Sequence, residues 1–146
     1  MAVALFSGNA IQTLIPQRAP IIMLDDFFEG NDTEAHTGLT IQADNLFCIN
    51  GQFTEPGLIE HIAQSASALA GYKACRQQKN APLGFIGEIK KCHISRLPAI
   101  GEQLKTAIHV LSEVLNITLI SAETTIGDEP IATCQMKIFI QERNVG

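Results

Sequence analysis

Twelve consecutive residues, His61 to Tyr72, contain no Asp, Glu, Lys or Arg, and they fall inside the stretch of the chain with the clearest helical period. Leu58, Ile59, Ile62, Ala63, Ala66, Leu69 and Ala70 recur at three- and four-residue intervals, the spacing that puts side chains on one helix face. A helix lying against solvent carries charges on its outer side, so one without them is enclosed by protein on most sides. Thr54 and Glu55 offer capping oxygens ahead of Pro56, a residue suited to a first helical turn. Lys73, Arg76 and Lys79 followed by Asn80 and Pro82 mark the end. The pattern predicts one long, buried helix from residue 56 to about residue 78.

Strand patterns flank it. Gln12 to Arg18, with Pro16 and Pro20 close by, reads as a loop or a single turn. Ile21 to Leu24, continuing to Phe27 and Phe28 and bounded by Gly30, reads as a strand. Ala35, Thr37, Leu39 and Ile41 alternate as in a second strand, which Gly38 weakens. After Pro82 the period becomes two, over Leu83–Arg96, Leu104–Val110, Val114–Ile126 and Ile131–Ile140, the last pair joined by a turn at Gly127–Pro130. In the final strand Ala132, Cys134, Met136, Ile138 and Ile140 are expected to face inward, with Thr133, Gln135 and Lys137 outward. With no repeat or linker, residues 1–146 read as one α+β domain, in which four late strands form a meander and the antiparallel sheet wraps the long central helix. At 146 residues, 46% of them hydrophobic, the chain can bury a sufficient core without disulfides or metal.

Charge and composition exclude several functions. Ten Lys and Arg against fifteen Asp and Glu give a net charge of −5, no field for nucleic acid or an anionic membrane surface. The opening Met1–Phe6 lacks the basic start of a signal peptide, and no apolar run approaches the roughly 20 residues of a membrane span. Cys48, Cys75, Cys92 and Cys134 show no C-x-x-C spacing and read as reduced, mostly buried thiols of a soluble cytoplasmic protein. His36, His61, His93 and His109 are scattered, and adjacent Cys92 and His93 would point to opposite faces of a strand, so neither metal nor cofactor is expected. No G-x-S-x-G elbow or phosphate loop occurs.

Chemistry is left to the helix start. At 100° per residue from Leu58, the apolar side chains span about 0–140°, whereas Ser67, Glu60 and Gln64 lie near 180°, 200° and 240°. This opposite face is polar yet carries a lone carboxylate in the first turns, where the helix dipole favours negative charge. Glu60 is therefore either a dipole-stabilised surface residue or a carboxylate that meets protein or ligand.

Pro56-Gly57, then Glu60, then Ala63-Gln64 resembles the signature that opens the central helix of the 3-hydroxyacyl-acyl-carrier-protein dehydratases, G-H-F-P-x-x-P-x-x-P-G followed by E-A-x-A-Q. Leu14–Pro20 followed by Ile21–Asp25 is similar to that family's L-P-H-R-x-P-x-L-L-V-D, and Pro98–Leu104 to its P-G-D-Q-L turn. The resemblance implies a hot-dog fold, usually a dimer with active sites at the subunit interface, acting on acyl-carrier-protein or other acyl-thioester substrates. It maps Glu60 onto the acid-base carboxylate and Gly57 onto the amide that polarises the thioester carbonyl. A desolvated Glu60 could serve first as base and then as acid. Two departures stand out: Gln52 replaces the family histidine, and Thr54-Glu55 stands where the family has six residues. Neutral Gln cannot take a proton near pH 7, so any base must be another group, and Gln52 is expected to bond substrate or water. Phe53, Ile59 and Gln64 are the expected substrate-binding neighbours, with His61 and His93 as possible auxiliaries. The rival readings are a non-catalytic hot-dog subunit that binds acyl chains or pairs with an active homologue, and an acyl thioesterase.

Overall fold

The charge-free stretch is a helix buried almost all round. In the computed structural model, which describes residues 3–141, α1 (Glu55–Arg76) buries Gly57, Leu58, every residue from His61 to Leu69, and Gly71. Met1 and Ala2 of the opening segment lie outside the described residues, as do residues 142–146. The helix ends in a Schellman motif. Gln78 adopts φ 59°, the Lys79 N–H donates to Ala74 O at 2.8 Å, and the Gln78 N–H donates to Cys75 O at 3.0 Å. A glutamine thus occupies the left-handed position that glycine usually takes.

Around the helix bends an antiparallel sheet of β1 (Phe6–Ser7), β2 (Asp26–Gly30), β3 (Glu34–Thr40), β6 (Leu83–Ile94), β7 (Gln103–Val114), β8 (Ile117–Ile126) and β9 (Glu129–Gln141). A small hairpin, β4 (Cys48–Ile49) and β5 (Gln52–Phe53), immediately precedes the helix. This is the expected hot-dog arrangement. The strand order is β1-β2-β3-β7-β8-β9-β6, so of the four late strands only β7 to β9 form a meander, whereas β6 pairs with β9 at the far edge. Alternation specifies which face of a strand is buried, not which strand it lies beside.

Ile21–Leu24 also departs from expectation. It is a strap rather than a strand, because helix side chains occupy its backbone groups: Gln64 bonds Ile21 O and Met23 N, and His61 bonds Met23 O. The strand begins only at Asp26. At the first hairpin of the meander, β7 continues to Val114 and the turn falls on Leu115 and Asn116. At the second, Gly127 and Asp128 form the turn while Glu129 and Pro130 already belong to β9. Of the four free thiols only Cys134 is buried; Cys92 is exposed and Cys48 and Cys75 are half-buried, since Cys92 lies on the edge strand β6.

Two apolar clusters fill the space between helix and sheet. One joins Ile62, Ala66 and Leu69 of the helix to Phe27, Ile108, Ile120, Met136 and Ile138 of the sheet and to Ile11, Leu14 and Ile15. The other packs Phe53 and Leu58 against Met23, Leu39, Ile41, Leu104 and Ile131. As expected, Ala132, Cys134, Met136 and Ile138 face inward on β9, with Ile140 half-buried beyond them.

Contact between the helix and the Leu14 segment is closest at Gly71, where a Cβ would lie 1.8 Å from the Leu14 carbonyl oxygen. That obstacle is backbone and cannot swing aside. Alanine would raise helix propensity by about 1 kcal/mol, but the overlap outweighs this. Gly71→Ala is expected to lower the unfolding free energy by about 2 kcal/mol or more. A denaturation midpoint at or above that of the parent would show that the approach is looser than described.

Candidate active site

Gln64, fully buried, is the pivot between the strap and the helix start. Its Oε1 accepts the Met23 N–H at 2.6 Å, and its Nε2 donates to Ile21 O and to Glu60 Oε2, each at 2.8 Å. Those three bonds commit both amide hydrogens and the oxygen within the chain. Glu60, one turn earlier and half-buried, is held through Oε2, while its Oε1 has no bonded partner among the described residues. The strap therefore positions the carboxylate through Gln64.

The helix start keeps its amides free of a side-chain cap. Thr54 holds the N-cap position, but its hydroxyl donates to Phe47 O at 2.7 Å instead of accepting from the first turn. Leu58 is the first residue to donate backward, to Thr54 O at 3.1 Å, so the Gly57 N–H precedes the intrahelical ladder. The dipole of a 22-residue helix adds partial positive charge there. Gly57 is glycine for packing reasons: a Cβ would lie 2.6 Å from the Phe53 ring and 2.7 Å from Phe47 Cβ.

The remaining candidates separate. Phe53 is completely buried, its ring edge-on to Phe47 at 6.5 Å. Gln52 is exposed beside it, bridged to Ala99. Ile59 is half-buried against the larger apolar cluster. His93 is exposed on β6, in register with Thr133, which faces away from the helix. His61 has no exposure: its Nδ1 donates to Met23 O at 2.7 Å, so its Nε2 is the acceptor for the Thr106 hydroxyl at 2.8 Å, which in turn accepts from Thr124 at 2.7 Å. Both ring nitrogens are thus committed inside the core, and as an auxiliary to catalysis His61 is displaced by its structural role. Sequence reasoning missed the threonine partners; their signal is a hydroxyl at the inward positions 106 and 124 of alternating strands. Among the described residues no group of three or more His, Cys, Asp or Glu could hold a metal ion.

The chain as a whole is similar to known proteins. A family model described as ApeP dehydratase matches residues 9–145. The 3-hydroxyacyl-[acyl-carrier-protein] dehydratase FabZ of Haemophilus influenzae (strain PittEE) is 28% identical over 145 residues, covering 93% of each chain. FabZ of Thermoanaerobacter sp. (strain X514) is 24% identical over 142 residues, 92% of this chain and 97% of that one. Among solved structures, the dehydratase heterocomplex ApeI:P from Xenorhabdus doucetiae superposes with a TM-score of 0.84 at 16% identity, covering 92% of this chain and 91% of that one.

Burial drives the His61 pKa down from 6.5 to about 4, against the smaller opposite pull of the Met23 carbonyl. The unfolded chain binds this proton below about pH 6.5 and the folded chain only below about pH 4, so stability falls as pH drops through that window. The full loss is about 3 kcal/mol. The contribution is complete above pH 6.5. Unfolding measured from pH 6.5 to 5 is expected to show this slope in the parent and to lose most of it in His61→Gln; equal slopes would remove His61 as its source.

Proposed function

Because the chain belongs to the ApeP-like dehydratase family, matched across residues 9–145, we propose that it removes water from 3-hydroxyacyl thioesters carried on an acyl carrier protein, yielding 2-enoyl thioesters for fatty acid or polyene pigment synthesis in the cytoplasm. The observation that carries this reading is the pairing of a half-buried carboxylate, Glu60, with an uncapped helix start at Gly57. Glu60 Oε1, the oxygen left free by Gln64, takes the proton α to the thioester carbonyl. Charge developing on the carbonyl oxygen is met by the Gly57 N–H and the helix dipole. The electron pair then forms the Cα–Cβ double bond as the β-hydroxyl leaves, taking the proton back from Glu60 and departing as water. One carboxyl group serves as base and then acid.

The supporting residues take distinct parts. Gln64, with every polar atom committed, orients Glu60 rather than binding substrate. Phe53 shapes the Gly57 turn from within the core. Exposed Gln52 bonds substrate or a water molecule, and half-buried Ile59 lines the acyl path. His61 and His93 stay outside the proton transfers.

A second subunit completes the site in this reading. The β6 edge has no partner strand among the described residues and carries Phe85, Ile86 and Ile89 at 53%, 39% and 42% exposure, a long apolar edge of the kind that pairs with another chain. Whether that chain is a copy or a homologue separates the main reading from a non-catalytic one. The absence of a proton carrier at Gln52 favours a subunit that assists an active relative, and the similar Xenorhabdus protein is part of a heterocomplex.

The test is the purified chain, given 3-hydroxyacyl and saturated acyl thioesters. Dehydration is expected, seen as enoyl absorbance; release of free thiol would instead identify a thioesterase, and binding without turnover an assisting subunit. Glu60→Gln is expected to lower turnover by about a hundredfold or more while leaving the fold intact. Unchanged turnover would take Glu60 out of the mechanism.

A further inference from the structure

Arg96 makes two forked ion pairs at once. Its Nη1 and Nη2 donate to the two oxygens of Glu102 at 2.8 and 3.0 Å, and its Nε and Nη2 to those of Glu129 at 3.0 and 3.1 Å. Glu102 Oε1 also accepts the Ala99 N–H at 2.8 Å. The arginine fork holds Glu102 well below the usual carboxylate range, at about 2, and lowers Glu129 in the same direction. Only a planar guanidinium supplies donors in this geometry, which the point charge of lysine cannot reproduce.

What the clamp holds is the loop beside the helix start. From that loop, Pro98 O accepts the Phe53 N–H at 2.8 Å, and the Ile100 N–H donates to Gly51 O at 3.2 Å. The loop is tied to the sheet side as well, by Gly101 N–H to Ile41 O at 2.8 Å and Ile41 N–H to Glu102 O at 3.0 Å. Gln52 bridges to Ala99 between these bonds, and the Phe53 ring lies over Gly57, where a Cβ would be only 2.6 Å away. A continuous series of contacts therefore runs from the Arg96 fork through residues 98–100 to Phe53 and on to the backbone at Gly57.

We propose that Arg96, acting through Glu102, is a positioning residue that sets Gln52 and the Gly57 amide for catalysis, an inference that rests on the dehydratase reading above. An exposed ion pair ordinarily adds little stability. Here the pair fixes a loop whose displacement would move an oxyanion donor, and a shift of about 1 Å in such a donor costs up to about a hundredfold in rate.

The test compares Arg96→Lys, Glu102→Gln and Glu129→Gln in the full chain, measuring kcat, KM, thermal midpoint and hydrogen exchange of the Phe53 amide. Arg96→Lys and Glu102→Gln are expected to lower kcat about tenfold or more with KM within about twofold, and to speed Phe53 amide exchange about tenfold. Glu129→Gln, whose carboxylate makes no bond to the loop, is expected to lower kcat less than about threefold. All three should melt within a few degrees of the parent. Equal kcat losses from the two glutamate variants, or losses that track the melting midpoint, overturn the proposal. If the parent itself fails to turn over thioesters, the dehydratase reading falls, and Phe53 exchange still decides the clamp: unchanged rates refute it, faster rates in the two loop-linked variants alone uphold it.

Discussion

A helix enclosed almost all round leaves its inward polar side chains no water to bond, and the arrangement around α1 follows from that shortage. Gln64, His61 and Ser65 all lie at 4% exposure or less, and each needs a partner from the chain itself, since an unpaired buried group costs about 1–3 kcal/mol. The strap at Ile21–Met23 supplies partners for Gln64 and His61. The sheet supplies Thr106 for His61 and Thr37 for Ser65, at 2.8 and 2.7 Å. Bonds made to keep a glutamine satisfied also leave a carboxylate aimed and half-covered one turn away.

This explains which features were legible beforehand. The missing charges between His61 and Tyr72 identified the enclosed helix, and two-residue alternation identified the inward face of β9, because both patterns record burial directly. Partner choice leaves no such record. Ile21–Leu24 has a strand's composition, yet its hydrogen bonds go to side chains 38 to 43 residues further along. The place of β6 at the far edge depends on a crossover that alternation does not encode. Helical projection did separate His61 from Glu60 by about 100°, and the two side chains do go different ways: His61 into the core between Met23 O and Thr106, Glu60 to a half-buried position on Gln64.

The candidate site is framed by two kinds of restraint. From the core side, a buried amide with all its hydrogen-bonding capacity used holds Glu60. From the solvent side, the loop ending at Glu102 presses residues 52 and 53 against the helix start. Buried hydrogen bonds lock the first, and ion pairing holds the second. The resemblance pointed to Gly57 through its neighbours in sequence, but the reason it must be glycine, two aromatic residues against its Cα, became visible only once Phe47 and Phe53 were placed.

The diverted Thr54 hydroxyl carries an evolutionary consequence. By bonding Phe47 O it leaves the helix without the cap that Thr could provide, forgoing roughly 1 kcal/mol. An aspartate at this position could recover that energy by turning its carboxylate onto the first-turn amides, and under the proposed mechanism it would quench the positive end that meets a thioester oxygen. Under that mechanism, selection for heat tolerance and selection for turnover pull residue 54 in opposite directions, so improving the helix in isolation would degrade turnover.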